Sequence, residues 1–287
     1  MNQLTFKQLN IAIDEYDLVL FDLWGVIVEG DKTYPGIIDT INRMITKTDI
    51  MFLTNTPRPA FKVVENLQNF GMSQVVEEMI VTSGDIARQM IQAHRLSLDG
   101  KVPTIYHLGA DRNEDILIEF DNELTNDLGV ADILLLSLYR DEHEDIHEFD
   151  HLLEQAAQNR DLLTICSNPD ITIPKHGTLR YCAGYFASII EKFGGKVIYT
   201  GKPKNVIYNS ILQRKKGIKK NRILMVGDTL ETDIMGANNA NIHSALVLSG
   251  NSIPFHNMHK SMDNKLSALY MHAKEIGVMP SFVTNIV

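Results

Sequence analysis

Cysteine is scarce in this sequence, which holds only Cys166 and Cys182. Two thiols cannot build the disulfide framework of a small secreted domain, nor any multi-cysteine zinc spacing. Positive charge is in deficit too: 27 Lys and Arg stand against 36 Asp and Glu, a formal net charge of −9. That balance disfavours a nucleic-acid or anionic-membrane partner. No apolar run reaches membrane-spanning length, and no basic segment leads into an apolar one at the start, so a cytoplasmic protein is expected. Tryptophan occurs once, at position 24, and the chain carries neither an internal repeat nor a low-complexity tract. What remains is of ordinary soluble composition, 44% hydrophobic and 22% charged over 287 residues. That length accommodates one large domain, or a core with a smaller insertion.

What is present begins with Leu18-Val19-Leu20-Phe21, an apolar run without alternation that ends in Asp22. Such a run reads as a central strand buried on both faces of a parallel sheet. Gly25 follows three residues later, and Gly30, Asp31 and Pro35 predict a small flap. A helix fits Gly36 to Thr46, and a second buried strand, Ile50 to Leu53, ends in Thr54-Asn55. A helix with Phe61, Val64, Leu67 and Phe70 on one face closes at Gly71, and the strand Ile80-Val81-Thr82 precedes a capped helix carrying Ile86, Met90 and Ile91. Strand and helix alternating in this order imply right-handed crossovers and a parallel sheet.

The pattern then changes for roughly a hundred residues, the size of a small domain. Strands are expected over Val102–Leu108 and Ile133–Leu138, with an acidic helix from about Glu142 to Gln158. The earlier pattern returns with Leu162 to Ile165, the loop Asn168-Pro169-Asp170, a small-residue helix from Ala183 to Phe193, and the strand Val197 to Tyr199. Gly201-Lys202-Pro203 precedes a helix over Asn205 to Lys216, and the strand Ile223 to Val226 ends in Gly227-Asp228, with Asp233 five residues on. A strand from Ala245 to Leu248, a helix near Leu266 to Glu275 and a short apolar tail complete the chain. The expected fold class is α/β: a Rossmann-like, doubly wound parallel core from residues 1–84 and 181–287, with an α/β cap inserted over 85–180.

Four segments thus end in groups suited to phosphoryl chemistry. A carboxylate such as Asp22 can attack phosphorus and divide one difficult displacement into two easier ones. Mg²⁺ prefers one or two carboxylates with water and phosphate oxygens, which Asp22 and Asp228 would supply. Lys202 offers a point charge to a phosphoryl group, and Thr54 and Asn55 offer hydrogen bonds to the same oxygens. Asp233 fits the outer role of steadying metal-bound water or Lys202.

Asp22-Leu23-Trp24-Gly25-Val26, Leu53-Thr54-Asn55, Gly201-Lys202-Pro203 and Gly227-Asp228-Thr229 through Thr232-Asp233 resemble the motifs of the haloacid dehalogenase superfamily. The resemblance is to its NagD-like, class IIA subgroup, which carries a large cap between the second and third motifs. It implies that Asp22 is the nucleophile and that Thr54 and Lys202 bind the phosphoryl group. It further implies that Asp22, the Trp24 backbone carbonyl and Asp228 hold Mg²⁺. Asn168 and Asp170 would face the leaving group of a small phosphorylated substrate, and a homodimer through the cap is the assembly it offers.

One position departs from that pattern. Most members carry an aspartate two residues after the nucleophile, which protonates the leaving group; here the residue is Trp24. Indole donates a hydrogen bond and exchanges no proton near neutral pH. Positioned acid–base catalysis is worth about 10²–10⁴-fold in rate, so both half-reactions should suffer. Three outcomes stand open: Glu29 or Asp31 substitutes, the substrate has a good leaving group, or the chain binds a phospholigand and barely turns it over. The last is the alternative reading, a non-catalytic phospholigand-binding or regulatory protein. His143, His147 and His151 fall at successive helical turns, but among so many carboxylates they read as a solvated acidic face, not a zinc site.

Overall fold

The unalternating apolar runs do form strands buried on both faces, and two short, largely exposed strands, Glu123–Leu124 and Ile198–Tyr199, join them. In chain order they are β1 (Leu18–Phe21), β2 (Asp49–Thr54), β3 (Ile80–Thr82), β4 (Thr104–Leu108), β5 (Glu123–Leu124), β6 (Ile133–Leu136), β7 (Leu163–Cys166), β8 (Ile198–Tyr199), β9 (Ile223–Gly227), β10 (His243–Val247) and β11 (Phe282–Thr284). This computed structural model describes residues 4–98, 101–139, 145–175, 178–258 and 261–286. The chain divides into two units: a core unit of Met1–Thr54, Phe61–Val81 and Lys202–Val287, and an inserted unit of Asn55–Ala60 and Thr82–Gly201.

The core unit is built on one six-stranded sheet in the order β11-β10-β9-β1-β2-β3. β1 is its centre, parallel to β9 on one side and to β2 on the other. All four β1 side chains are at most 1% exposed. Burying each such side chain contributes about 1.5–3 kcal/mol, which is why this stretch sits innermost. The helix Ile37–Ile45 turns Ile37, Ile41 and Met44 inward, at the spacing of one helical face. Leu246, Val283, Leu266, Leu269 and Ala273 form one cluster joining β10 and β11 to the helix Met262–Glu275. The expected apolar tail is therefore the edge strand β11, parallel to β10.

The inserted unit has its own five-stranded sheet, ordered β8-β7-β6-β4-β5, and every pairing in it is parallel. The helix Ser83–Ser97 starts where Thr82 Oγ1 accepts from Asp85 N at 2.9 Å. The acidic helix is shorter than expected, a 3₁₀ turn Ile146–Phe149 followed by an α-helix Asp150–Gln158, and Glu142, His143 and Glu144 lie outside the described residues. The loop expected after Asp170 forms an antiparallel ribbon, Thr172–Lys175 with Thr178–Tyr181.

Beside the expected boundaries at 84/85 and 180/181, this division falls at 81/82 and 201/202 and assigns 55–60 to the inserted unit. The reason is packing. The helix Ala183–Lys192 buries Ala183, Phe186, Ala187 and Ile190 in one cluster with Leu134, Leu136, Leu153 and Cys166, and β8 pairs with β7. Neither contact can be read from local periodicity.

Candidate active site

Asp22 follows β1 and Asp228 follows β9, and these two strands are neighbours. The chain runs from β1 outward to β2 and β3, then returns on the other side of β1 through β9, β10 and β11. Strand succession therefore reverses between β1 and β9, and at such a switch point a crevice opens beyond the carboxyl ends of the strands. Asp22 is held there by its own N–H, which donates to Val226 O at 2.9 Å. Thr54 ends β2 at the same edge, two residues beyond the Phe21–Phe52 pair, and is fully buried.

Lys202 reaches this edge with its ammonium almost wholly enclosed, 2% exposed. Its Nζ donates to Asp22 Oδ1 at 2.6 Å and to Asp233 Oδ1 at 2.7 Å. Asp233 lies in a single π-helical turn, Leu230–Ile234, and its other oxygen accepts from Thr229 N at 3.1 Å. Tyr208 steadies the turn from behind, donating its hydroxyl to Asp233 O at 3.2 Å. Asp228 is gripped by the loop after β10. Asn251 N donates to Asp228 Oδ2 at 2.5 Å, Ser252 Oγ donates to Asp228 O at 2.6 Å, and Ser249 Oγ donates to Gly25 O at 2.6 Å.

Two glycines make this approach possible. Gly25 has φ +88°, and a Cβ there would stand 2.5 Å from Asp228 Oδ2. Gly250 has φ +48°, and its Cβ would stand 2.2 Å from the same oxygen. A side chain at either position would displace the carboxylate.

The electrostatics are those of a site with too much negative charge. Asp22, Asp228 and Asp233 are all buried and each places one carboxylate oxygen within 4.8 Å of the others. Burial pushes the Asp22 carboxyl up to about 7; Lys202 opposes the shift and Asp233 adds to it. Burial raises Asp228 well above the ordinary range, and Asp233 and Asp22 push it further. Burial works against the Lys202 ammonium, but Asp22 and Asp233 outweigh it and hold it above its usual value. Three carboxylates with one ammonium leave a deficit of positive charge, and an all-oxygen donor set fits a hard divalent cation. It is the one group of this kind among the described residues.

Of the sequence candidates, the core unit thus gathers Asp22, Thr54, Lys202, Asp228 and Asp233 at one sheet edge. Trp24 lies on the turn after Asp22, its side chain 50% exposed. Glu29 and Asp31 are exposed at and beside a two-residue ribbon, Val28–Glu29 with Lys32–Thr33. Asn55, Asn168 and Asp170 lie in the inserted unit, where they bond to one another: Asn55 Nδ2 donates to Asp170 Oδ1 at 2.9 Å and Asp170 N to Asn168 Oδ1 at 3.2 Å. His147 pairs with Asp150 at 3.3 Å on an exposed surface. Tyr208 and the 249–252 loop were missed in the sequence. Ser249-Gly250 directly after a buried strand was the available signal for the loop, and Tyr208 carries none.

A family model described as haloacid dehalogenase-like hydrolase matches residues 16–241. Phosphoglycolate phosphatase 1A, chloroplastic, from Arabidopsis thaliana is 26% identical over 280 residues, covering 91% of this chain and 76% of that protein. The 4-nitrophenylphosphatase of Schizosaccharomyces pombe is 25% identical over 269 residues, covering 85% and 87%. Among solved structures, a hydrolase of the haloacid dehalogenase-like family from Brucella suis superposes with a TM-score of 0.77 at 27% identity, covering 97% of this chain and 98% of that one.

Proposed function

The chain belongs to the haloacid dehalogenase-like hydrolase family, and we propose that it hydrolyses a small phosphorylated metabolite through an aspartyl-phosphate on Asp22. The observation that carries this reading is the strand-end cluster itself. One Asp22 oxygen is fixed at 2.6 Å by a buried ammonium, beside two further buried acids at the switch point. Fixing one oxygen fixes the plane of the carboxylate, so the attack trajectory is set before substrate arrives.

In the first step an Asp22 carboxylate oxygen bonds to phosphorus, and the bond from phosphorus to the leaving oxygen breaks, its electron pair leaving with that oxygen. Lys202 and Thr54 hold the phosphoryl oxygens as charge develops on them. Water then attacks phosphorus, which releases inorganic phosphate and returns Asp22 as a carboxylate. Asp22, the Trp24 backbone carbonyl and Asp228 would hold Mg²⁺, which would supply charge stabilisation to the phosphoryl group. Asp233 keeps Lys202 in place.

Trp24 supplies no proton to the leaving oxygen. Turnover is accordingly weak, or restricted to leaving groups that depart without protonation, such as acyl and aryl phosphates. Glu29 and Asp31 remain the substitutes to test by mutation. The half-exposed indole also favours a second reading, a protein that binds a phospholigand and scarcely turns it over. The cytoplasmic setting, pairing through the inserted unit, and the lack of a nucleic-acid or membrane partner belong to the same proposal; no described helix is long and apolar enough to cross a membrane.

A phosphometabolite panel including acetyl phosphate, run with and without Mg²⁺, tests it. Mg²⁺-dependent turnover that is lost in Asp22→Asn is the expected result. Turnover unchanged in that variant refutes it, and tight phosphate binding without turnover selects the second reading.

A further inference from the structure

Asn55 and Gly201 are the covalent neighbours of Thr54 and Lys202, and both pack into one tightly tied region of the inserted unit. The Asn55 side chain is 95% enclosed, and its Nδ2 donates to Asp170 Oδ1 at 2.9 Å. Its Oδ1 lies against Gly201, where a Cβ would come within 2.3 Å of it and within 2.8 Å of Pro169 Cδ. Asp170 in turn is held through both of its own backbone groups. Its N–H donates to Asn168 Oδ1 at 3.2 Å, and its carbonyl accepts from Gly184 N at 3.2 Å. Gly184 is pressed so close that a Cβ would sit 2.1 Å from Pro169 O. Thr200, one residue before Gly201, is fixed as well, its hydroxyl 2.8 Å from Ser83 Oγ and donating to Cys166 O at 3.1 Å.

From this arrangement we infer that Asn55 and Asp170 are a positioning pair for Thr54 and Lys202, and that the Asn55 amide is engaged by the protein, not by the phosphoryl group. The amide is wedged between the Asp170 carboxylate and the Gly201 Cα, so the Asn55–Asp170 bond sets the spacing of two chain crossings. Each crossing continues directly into a phosphoryl-binding residue. A misplacement of about 1 Å in such groups costs about 100-fold in rate, so a bond one residue away has leverage on binding and catalysis alike. The inference rests on the phosphoryl-binding role proposed for Thr54 and Lys202, but not on turnover.

The test reads inorganic phosphate affinity by titration calorimetry with Mg²⁺ present, alongside KM and kcat for acetyl phosphate. Asp170→Ala removes the acceptor and should weaken phosphate by about 10- to 100-fold. Asp170→Asn keeps an acceptor oxygen and should stay near the wild type. Asn55→Asp alone sets two carboxylates face to face and should fall with Asp170→Ala. Combined with Asp170→Asn, it restores one donor and one acceptor in reversed order, and affinity should recover. Failure of the reversed pair to recover overturns the inference, since a carboxylate at position 55 is then facing the phosphate itself. Wild-type affinity in Asp170→Ala, or no measurable phosphate binding by the wild type, overturns it as well. Should Asp170→Ala fail to fold, the Asn variant and the reversed pair still decide. If phosphate affinity follows the expected pattern while no Asp22-dependent turnover is found, hydrolysis is refuted and the positioning pair stands.

Discussion

Replacing Lys202 with methionine keeps a stem of similar length and removes the one ammonium within the acidic cluster. Its two partners, Asp22 and Asp233, lie at 2.6 and 2.7 Å with side chains only 9% and 1% exposed. Breaking a buried pair by removing one member destabilises by about 3–5 kcal/mol, because the remaining charge is left uncompensated. Here two carboxylates are left, and a third, Asp228, is already close by. The loss should depend on pH in a definite direction. Asp22 is raised by burial from 3.8 to about 7 while Lys202 pulls it down, so without Lys202 it rises further. A carboxyl whose folded pKa exceeds its unfolded value binds more protons folded than unfolded, so stability falls as pH rises through that window. At pH 5 the variant neutralises Asp22 by protonation, which leaves Asp233 as the uncompensated partner, and the gap to wild type narrows; at pH 8 it is at its largest. Urea unfolding in EDTA at both pH values measures this, and adding Mg²⁺ at pH 8 should recover part of the loss by returning positive charge. A gap below about 1 kcal/mol at pH 8, or one equal at both pH values, refutes the electrostatic account.

Three further outcomes follow from particular contacts. Trp24→Asp should raise turnover of an alkyl phosphomonoester by about 10²-fold or more while changing acetyl phosphate far less, and equal effects on both would rule out a missing proton donor. Gly25→Ala should abolish Mg²⁺-dependent stabilisation in a thermal melt, since its Cβ would stand 2.5 Å from Asp228 Oδ2 at a φ of +88°; an unchanged magnesium response counts against the cradle. In the inserted unit, burial holds His107 down to about 4 against an ordinary 6.5, with Asp111 and Asp115 opposing, while Nε2 lies 2.7 Å from Ser137 Oγ. The unfolded chain takes up that proton first, so His107 removes about 1–3 kcal/mol of stability as pH falls from 6.5 towards 4. His107→Gln should flatten that decline, and parallel urea midpoints for the two proteins would disprove it.

Local pattern alone identified β1, β2, β3, β9 and most of β10, because continuous burial of both faces leaves an unbroken apolar run. It also identified the residues that end them, Asp22, Thr54, Asp228 and, at a loop, Lys202, because a carboxylate or an ammonium directly after such a run is conspicuous. Periodicity cannot say which strands are neighbours, since partners such as Leu18 and Ile223 lie far apart in the chain. Tertiary structure therefore decided that β1 adjoins β9, so that Asp22 and Asp228 meet at the switch point. It decided that Asp233 grips Lys202 as well as capping Thr229, and that the 249–252 loop anchors Asp228. It packed the Ala183–Lys192 helix into the inserted unit, because the helix's buried face matches a cluster that no single segment announces. It also turned Asn55 towards Asp170, a choice invisible in a chain where both side chains look equally suited to a phosphate. Residue types specify what chemistry is available, while long-range packing specifies which groups stand close enough to share it.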